Sequence, residues 1–498
     1  MPKFFPIIFV HGWGGPGDLV RDFGAADERD PYVGWNTGRR YNDPDGWMKF
    51  RNTELNFEGL VLRLVKDFGY YDASNDEELA DFRSYLGMKS PAPGETSPPG
   101  IREAGLNKSL WIFRYYEYNA EHLKLSKEIK NVLADELTRC GYSVKWENLA
   151  GIPYYAALLA LKIEQIACSK CHRLSDGQEA PGLDLKKVAL VGHSMGGLIS
   201  RFAIQYNLFG AAQNVARFMT MATPHGGARY ASPAGLLRFL PGLRDDDVQF
   251  FTPEWVKDHM GGQTPDPPIT TLGPTDVFCL VGTRHNDYYL VARHLPRTDG
   301  IVDQREAFLY GHPYAYVYNT HSGEHGIREN HDAYQSMRRF LFGDLYVRML
   351  ITDIEIKPGQ KMGENRLIFH YFVKPRGINA HLNEISERAE NQPMPRTFSE
   401  LKQRLQERKH IYIIYDGFAD SGALVDKTAR MAPGVMKGKK DLPHLQLEYS
   451  TFVEDERVGG KALASGYKMI PLAEGVRILT LEDQVMKAKL RVEVTRRD

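Results

Sequence analysis

The stretch LKKVALVGHSMGGLISRFAIQYN (185–207) decides how this chain folds. It opens on an apolar run, passes through glycines and continues with apolar residues at helical spacing. That pattern reads as a buried strand, a sharp turn and a helix. A strand that is apolar throughout belongs in a parallel sheet covered on both faces. Gly192-His193-Ser194-Met195-Gly196 forms a G-x-S-x-G sequence at the turn. A serine on so tight a turn needs small neighbours, because a Cβ at either glycine would crowd the adjoining strand and helix. The turn pushes the serine oxygen out above the sheet edge, where it is available as a nucleophile.

Outward from this stretch, the same alternation recurs. Pro6 to Val10 reads as a buried strand feeding a glycine-rich loop, His11-Gly12-Trp13-Gly14-Gly15. NFEGLVLRLVKDF (56–68) has helical spacing, SLWIFRYYEY (109–118) reads as a strand, and a helix is expected over about 121–140, ending at Gly141. YSVKWENL (142–149) is then expected as a strand and IPYYAALLALKIEQIA (152–167) as a helix. VARFMTMA (215–222) and DVFCLVG (276–282) are strand candidates, and NHDAYQSMRRFLF (330–342) a helix. Strands alternating with helices predict an α/β fold whose mostly parallel sheet is flanked by helices, with ligands at the carboxyl ends of the strands.

The pattern changes after 342. LYVRMLITDIEI (345–356), NRLIFHYFV (365–373), HIYIIYD (410–416), HLQLEYSTF (444–452), VRILTL (476–481) and AKLRVEV (488–494) all read as strands. TFSELKQRLQERK (397–409) reads as a helix opened by a Thr397/Glu400 capping box. The expectation is a catalytic domain over 1–345 and a β-rich, β-sandwich-like domain over 346–498.

Composition sets the outer limits. The 498 residues carry 63 basic and 63 acidic side chains, so the net charge is zero, which argues against a nucleic-acid partner or a polybasic membrane anchor. At 42% apolar and 25% charged residues the chain is of ordinary globular composition. No stretch approaches the roughly 18–20 apolar residues of a spanning helix, and the N-terminus lacks the features of a signal peptide. Cytoplasmic location is the default expectation, with leaderless export left open. Four cysteines do not make a disulfide framework in so long a chain. Cys168-x-x-Cys171-His172 has the spacing of half a zinc site but no partner pair, so a surface thiol pair is expected and no metal.

A serine is a weak nucleophile at neutral pH and needs a base, which needs a carboxylate to orient it. In this fold class the chain order is Ser, acid, His. Asp299, in the turn RTDGIVD (297–303), follows the strand DVFCLVG and its loop and is the expected acid. Two histidines in NTHSGEHGIREN (319–330) qualify as base. His325 is favoured over His321 because it opens a loop running directly into the final helix. The oxyanion needs backbone donors: the Met195 amide, next to the nucleophile, and the Trp13 amide in the HGWGG loop. His225, in Thr223-Pro224-His225-Gly226-Gly227, precedes the acid and reads as structural or pocket-lining.

Taken together, FVHGWGG, LVGHSMGGL, ATPHGG, TDGIV and the H-G-I before the last helix resemble the α/β-hydrolase fold in its lipase and esterase branch, over roughly residues 5–342. The resemblance implies a serine carboxylic-ester hydrolase that works through an acyl-enzyme, with Ser194, Asp299 and His325 as triad and no cofactor. A phospholipase or thioesterase using the same triad, and a non-catalytic binding protein that keeps the fold, are the alternatives. The chain departs from a minimal lipase by insertions over about 16–120 and 228–273 and by the appended domain. The apolar segment SPAGLLRFLPGL (232–243) is either a lid or a buried cap helix. A small-molecule or lipid ester is the expected substrate. For the C-terminal domain, docking to a lipid interface and plain structural packing both stand; the sequence does not set the oligomeric state.

Overall fold

The structure, a computed structural model of the 498-residue chain, describes residues 3–12, 57–73, 106–113, 115, 125, 127–167, 187–228, 249–261, 269–285, 298–322, 325–358, 367–375, 396–407, 412–421, 444–453 and 462–497. Trp13, Cys168, Cys171, His172, the 232–243 segment and most of the 16–120 insertion lie outside the described residues. The chain divides into two compact units: Lys3–Pro313 with Asn319–Gln335, and Tyr314–Tyr318 with Ser336–Asp498.

The first unit is built on strands β1 (Ile7–Val10), β2 (Tyr71–Asp72), β3 (Ser109–Phe113), β4 (Val188–His193), β5 (Val215–Met221) and β6 (Val277–Gly282). All six pair in parallel, in the order β2-β3-β1-β4-β5-β6. The continuous apolar runs are explained by burial: β1, β3, β4 and β6 have no exposed position. Helices α1 (Glu58–Phe68), α2 (Lys127–Arg139), α3 (Gly151–Ala167), α4 (Met195–Gln205), α5 (Ala211–Asn214) and α6 (Pro253–Met260) interleave with them. Helix α3 is buried almost all round, as its apolar sequence requires. This is the α/β-hydrolase architecture.

Register positions the site. Val10 lies opposite Gly192 in the β1–β4 pair and Gly192 opposite Thr220 in the β4–β5 pair. The loops after β1, β4 and β5 therefore leave the sheet side by side at its carboxyl edge. Helix α6 is held to α4 by its last carbonyls: Arg201 donates to Met260 O, and Tyr206 Oη donates to His259 O at 2.7 Å. These are the acceptors a helix C-terminus leaves unpaired.

One expected strand is absent. Residues 142–149 form an extended loop with a single 3₁₀ turn at Trp146–Asn148. Its alternation buries nothing until Leu149, so no apolar face holds it to a sheet.

The second unit contains β7 (Tyr314–Val317), β8 (Leu345–Ile356), β9 (Leu367–Pro375), β10 (Arg396–Thr397), β11 (Tyr412–Ala419), β12 (His444–Val453), β13 (Ala464–Pro471), β14 (Gly475–Glu482) and β15 (Met486–Arg496). Eight of these build two antiparallel sheets, β10-β9-β12-β13 and β11-β8-β15-β14. Alternate residues of the long strands, such as Val347, Met349 and Ile351 on β8 and Ala488, Leu490 and Val492 on β15, meet Phe369, Leu445 and Leu447 of the other sheet in one core. Helix α7 (His331–Phe342) spans the division, and α8 (Phe398–Glu407) adds Phe398, Leu401 and Leu405 to this core. The capping box at the start of α8 is reciprocal, with Thr397 N to Glu400 Oε2 and Glu400 N to Thr397 Oγ1 each at 3.2 Å. Among the described residues no helix is long and apolar enough to cross a membrane.

Two predictions follow from these cores. Leu490 is fully buried, so Leu490→Ala should cost about 2–5 kcal/mol; an unchanged midpoint in thermal unfolding would contradict the packing. In the first unit, His193 at the end of β4 and His225 beyond β5 are both buried. Burial pushes both imidazoles well below their ordinary range; His321 and Arg328 add to the effect at His193, and Arg201 and His312 at His225. Each stays neutral when folded but takes up a proton near pH ~6.5 when unfolded. Their contribution to stability is thus present above that pH and lost as pH falls below it, by up to about 1.4 kcal/mol per pH unit for each histidine. Denaturant titrations at pH 7 and pH 5 should show this loss, and His225→Gln should flatten part of it; an unchanged pH slope in that variant would contradict a neutral His225.

Candidate active site

Ser194 sits between the last residue of β4 and the first of α4 with φ 52° and ψ −124°. A left-handed φ is costly for any residue with a Cβ and persists only where surrounding packing enforces it. Here the enforcement is steric. A Cβ on Gly196 would lie 2.1 Å from Val10 O and 2.3 Å from His11 O, and one on Gly192 would lie 2.6 Å from Gly197 Cα. Helix α4 therefore packs directly onto the backbone at the end of β1. Gly197, one residue past the motif, is as tightly placed, 1.9 Å from Thr223 Oγ1 by the same construction. Ser194 N donates to Met221 O at 2.9 Å, which fixes the turn to β5.

Asp299 is held by its own turn. Its Oδ1 accepts from the amides of Ile301 (3.0 Å) and Val302 (2.8 Å). Oδ2 is left for an imidazole, and His321 Nδ1 lies 2.9 Å from it. His321 Nε2 lies 3.0 Å from Ser194 Oγ. A carboxylate only accepts, so Nδ1 carries the proton and Nε2 presents its lone pair to the serine hydroxyl. Asp299 is 1% exposed, His321 5% and Ser194 9%, so the line is nearly dry and its polar interactions are little screened by solvent. Asp303, four residues further along, is turned to Arg305 instead, at 2.7 Å.

The imidazole beside Ser194 is thus that of His321, and the preference for His325 is corrected. The loop doubles back on itself. Thr320 N donates to His325 O at 3.1 Å, Ile327 N to Thr320 O at 2.9 Å, and Asn319 Nδ2 to His325 O at 3.3 Å. His325 lies on the return arm, where its carbonyl closes the loop, while His321 is on the outgoing arm. There its own amide donates to Asp299 O at 2.9 Å. Nearness to α7 in sequence was a poor guide, because the return arm and a further turn intervene before His331.

Met195 is the first residue of α4 and is buried beside Ser194. Amides at a helix N-terminus have no intrahelical acceptor and stabilise developing negative charge. The loop after β1 also reaches the serine, since a Cβ on Gly12 would lie 2.9 Å from Ser194 Cβ. Tyr115, which the sequence does not single out, fastens this loop: its hydroxyl donates to Gly12 O at 2.9 Å and to His11 O at 3.2 Å, and its ring stacks on His11 at 4.3 Å. His225 is kept apart from the Ser194–His321–Asp299 line by its partners, with Nε2 3.0 Å from Thr220 Oγ1 and its carbonyl accepting from Arg201 Nη1 at 3.0 Å. It is structural. No cluster of three or more metal-ligating side chains occurs among the described residues.

Residues 117–243 match the family described as "Putative serine esterase (DUF676)". No curated protein matches the chain. Among solved structures, the mature form of the Bacillus licheniformis lipase BlEst2 is similar at 23% identity, covering 38% of this chain and 75% of that one, with a TM-score of 0.26. The Legionella pneumophila phospholipase PlaB, in complex with thio-NAD, is similar at 12% identity over 94% of this chain and 90% of that one, with a TM-score of 0.35.

Proposed function

We propose that this protein is a serine hydrolase of carboxylic esters that works through an acyl-enzyme. The observation that carries the reading is the continuous line Ser194–His321–Asp299, with hydrogen bonds of 3.0 and 2.9 Å in a nearly dry site. The match of residues 117–243 to a serine esterase family supports it.

In the reaction, Ser194 Oγ attacks the ester carbonyl as His321 Nε2 takes its proton, giving a tetrahedral oxyanion and an imidazolium. Asp299 stabilises that cation and, because its other oxygen is tied to two amides, cannot swing away. The Met195 amide donates to the oxyanion, and the Trp13 amide is the second donor proposed from the sequence. Collapse breaks the bond to the alcohol, which leaves with the proton from His321. Water, deprotonated by His321, then attacks the acyl-serine, and the acid departs as Ser194 regains its proton.

With p-nitrophenyl esters, Ser194→Ala and His321→Ala should each lower kcat by roughly 10⁴- to 10⁶-fold, and Asp299→Asn by about 10⁴-fold. His325→Ala should stay within about threefold of the parent, since its side chain takes no part. The reverse ranking of the two histidine variants would overturn the assignment.

A further inference from the structure

His193, the residue between Gly192 and the nucleophile, is not used by the chemistry above. It is 2% exposed, and its Nε2 lies 2.9 Å from the backbone carbonyl oxygen of His321. The two imidazole rings are 4.8 Å apart. A carbonyl oxygen only accepts, so Nε2 carries the proton and Nδ1 is unprotonated. Nδ1 is buried without a hydrogen-bond partner and faces Gly12, where a Cβ would approach it to 2.7 Å. A side chain chosen only to fill this space would not bring in a buried polar atom, since leaving one unsatisfied typically costs about 1–3 kcal/mol.

We propose that His193 is a positioning residue for the base: through its Nε2–H it fixes the His321 backbone to the strand that carries the nucleophile. The proposal rests on the serine-hydrolase reading of the site. With this bond, His321 is held at every polar atom. Its amide donates to Asp299 O, its carbonyl accepts from His193, Nδ1 faces Asp299 Oδ2 and Nε2 faces Ser194 Oγ. Ser194 and His321 lie 127 residues apart in sequence, and His193, a covalent neighbour of Ser194, reaches the loop of the base. Burial keeps the His193 imidazole neutral, so it does not oppose the positive charge that forms on His321 during turnover.

The test is the rate at which a fluorophosphonate labels Ser194 in the full-length protein, which depends on proton transfer to the base. His193→Leu keeps the bulk and removes the donor; it should slow labelling by about 10- to 100-fold, the scale expected for a small misplacement of a reacting group. His193→Gln carries an N–H of similar reach and should recover most of that loss. In an His321→Ala background, His193→Leu should cause no further loss, because the group it positions is gone. Labelling of His193→Leu at the parent rate, or an equal loss in both backgrounds, would overturn the proposal while leaving the triad reading intact. Parent-like labelling of His321→Ala alone would instead sink the triad reading. ¹⁵N NMR of the unmutated protein gives an answer independent of how the variants fold: His193 should hold a proton on Nε2 from pH 8 down to pH 6, and an Nε2 without a proton in that range would contradict the bond.

Discussion

The contact between Gly196 and the end of β1 is the constraint on which the site depends. Any Cβ there would meet the Val10 and His11 carbonyls at 2.1 and 2.3 Å, so helix α4 can start where it does only with glycine at this position. The same close packing holds Ser194 at φ 52° and directs its hydroxyl away from the sheet. It also sets the spacing between the β4 turn and the β1 loop, which touches the serine at Gly12. Ser194 and the loop after β1 are thus fixed to each other by backbone packing, without relying on flexible side chains.

His321 and Asp299, the base and acid proposed above, are fixed by a different means. Both sit on loops, and loops are positioned by hydrogen bonds more than by burial of apolar surface. Asp299 uses one carboxylate oxygen to complete its own turn, which leaves only the other free for His321. The loop carrying His321 closes on itself between Thr320 and Ile327 and is pinned to Asp299 O by the His321 amide. Gly282, at the end of β6, allows both loops to come close: a Cβ there would lie 2.8 Å from Asn319 O and from Asp299 Cβ. The apolar sheet supplies a rigid edge, and a small number of polar contacts at that edge supply the precision.

What the sequence revealed follows this division. The turn at Ser194, the parallel sheet and the turn at Asp299 were legible because each leaves a local mark: glycines flanking Ser194, unbroken apolar runs in β1, β4 and β6, and a D-G pair at Asp299. The antiparallel sandwich was legible from the alternation in β8 and β15, although β13 escaped notice because Gly466 and Pro471 interrupt its pattern. The choice between His321 and His325 was not legible. It depends on which arm of a doubled-back loop faces Asp299, and that is decided by backbone bonds between residues with no distinctive sequence. Tyr115 and His193 escaped for the same reason, since each acts through a carbonyl brought near only by the fold.

The central claim is that Ser194 is activated by His321 at the carboxyl edge of the sheet. The most direct measurement is a crystal structure of the protein inactivated by an alkyl phosphonate that mimics the tetrahedral intermediate. The account predicts phosphorus bonded to Ser194 Oγ, the phosphonyl oxygen within hydrogen-bond reach of the Met195 amide, and His321 Nε2 within reach of the ester oxygen. An adduct on another residue, or one in which His325 makes that contact, would contradict it.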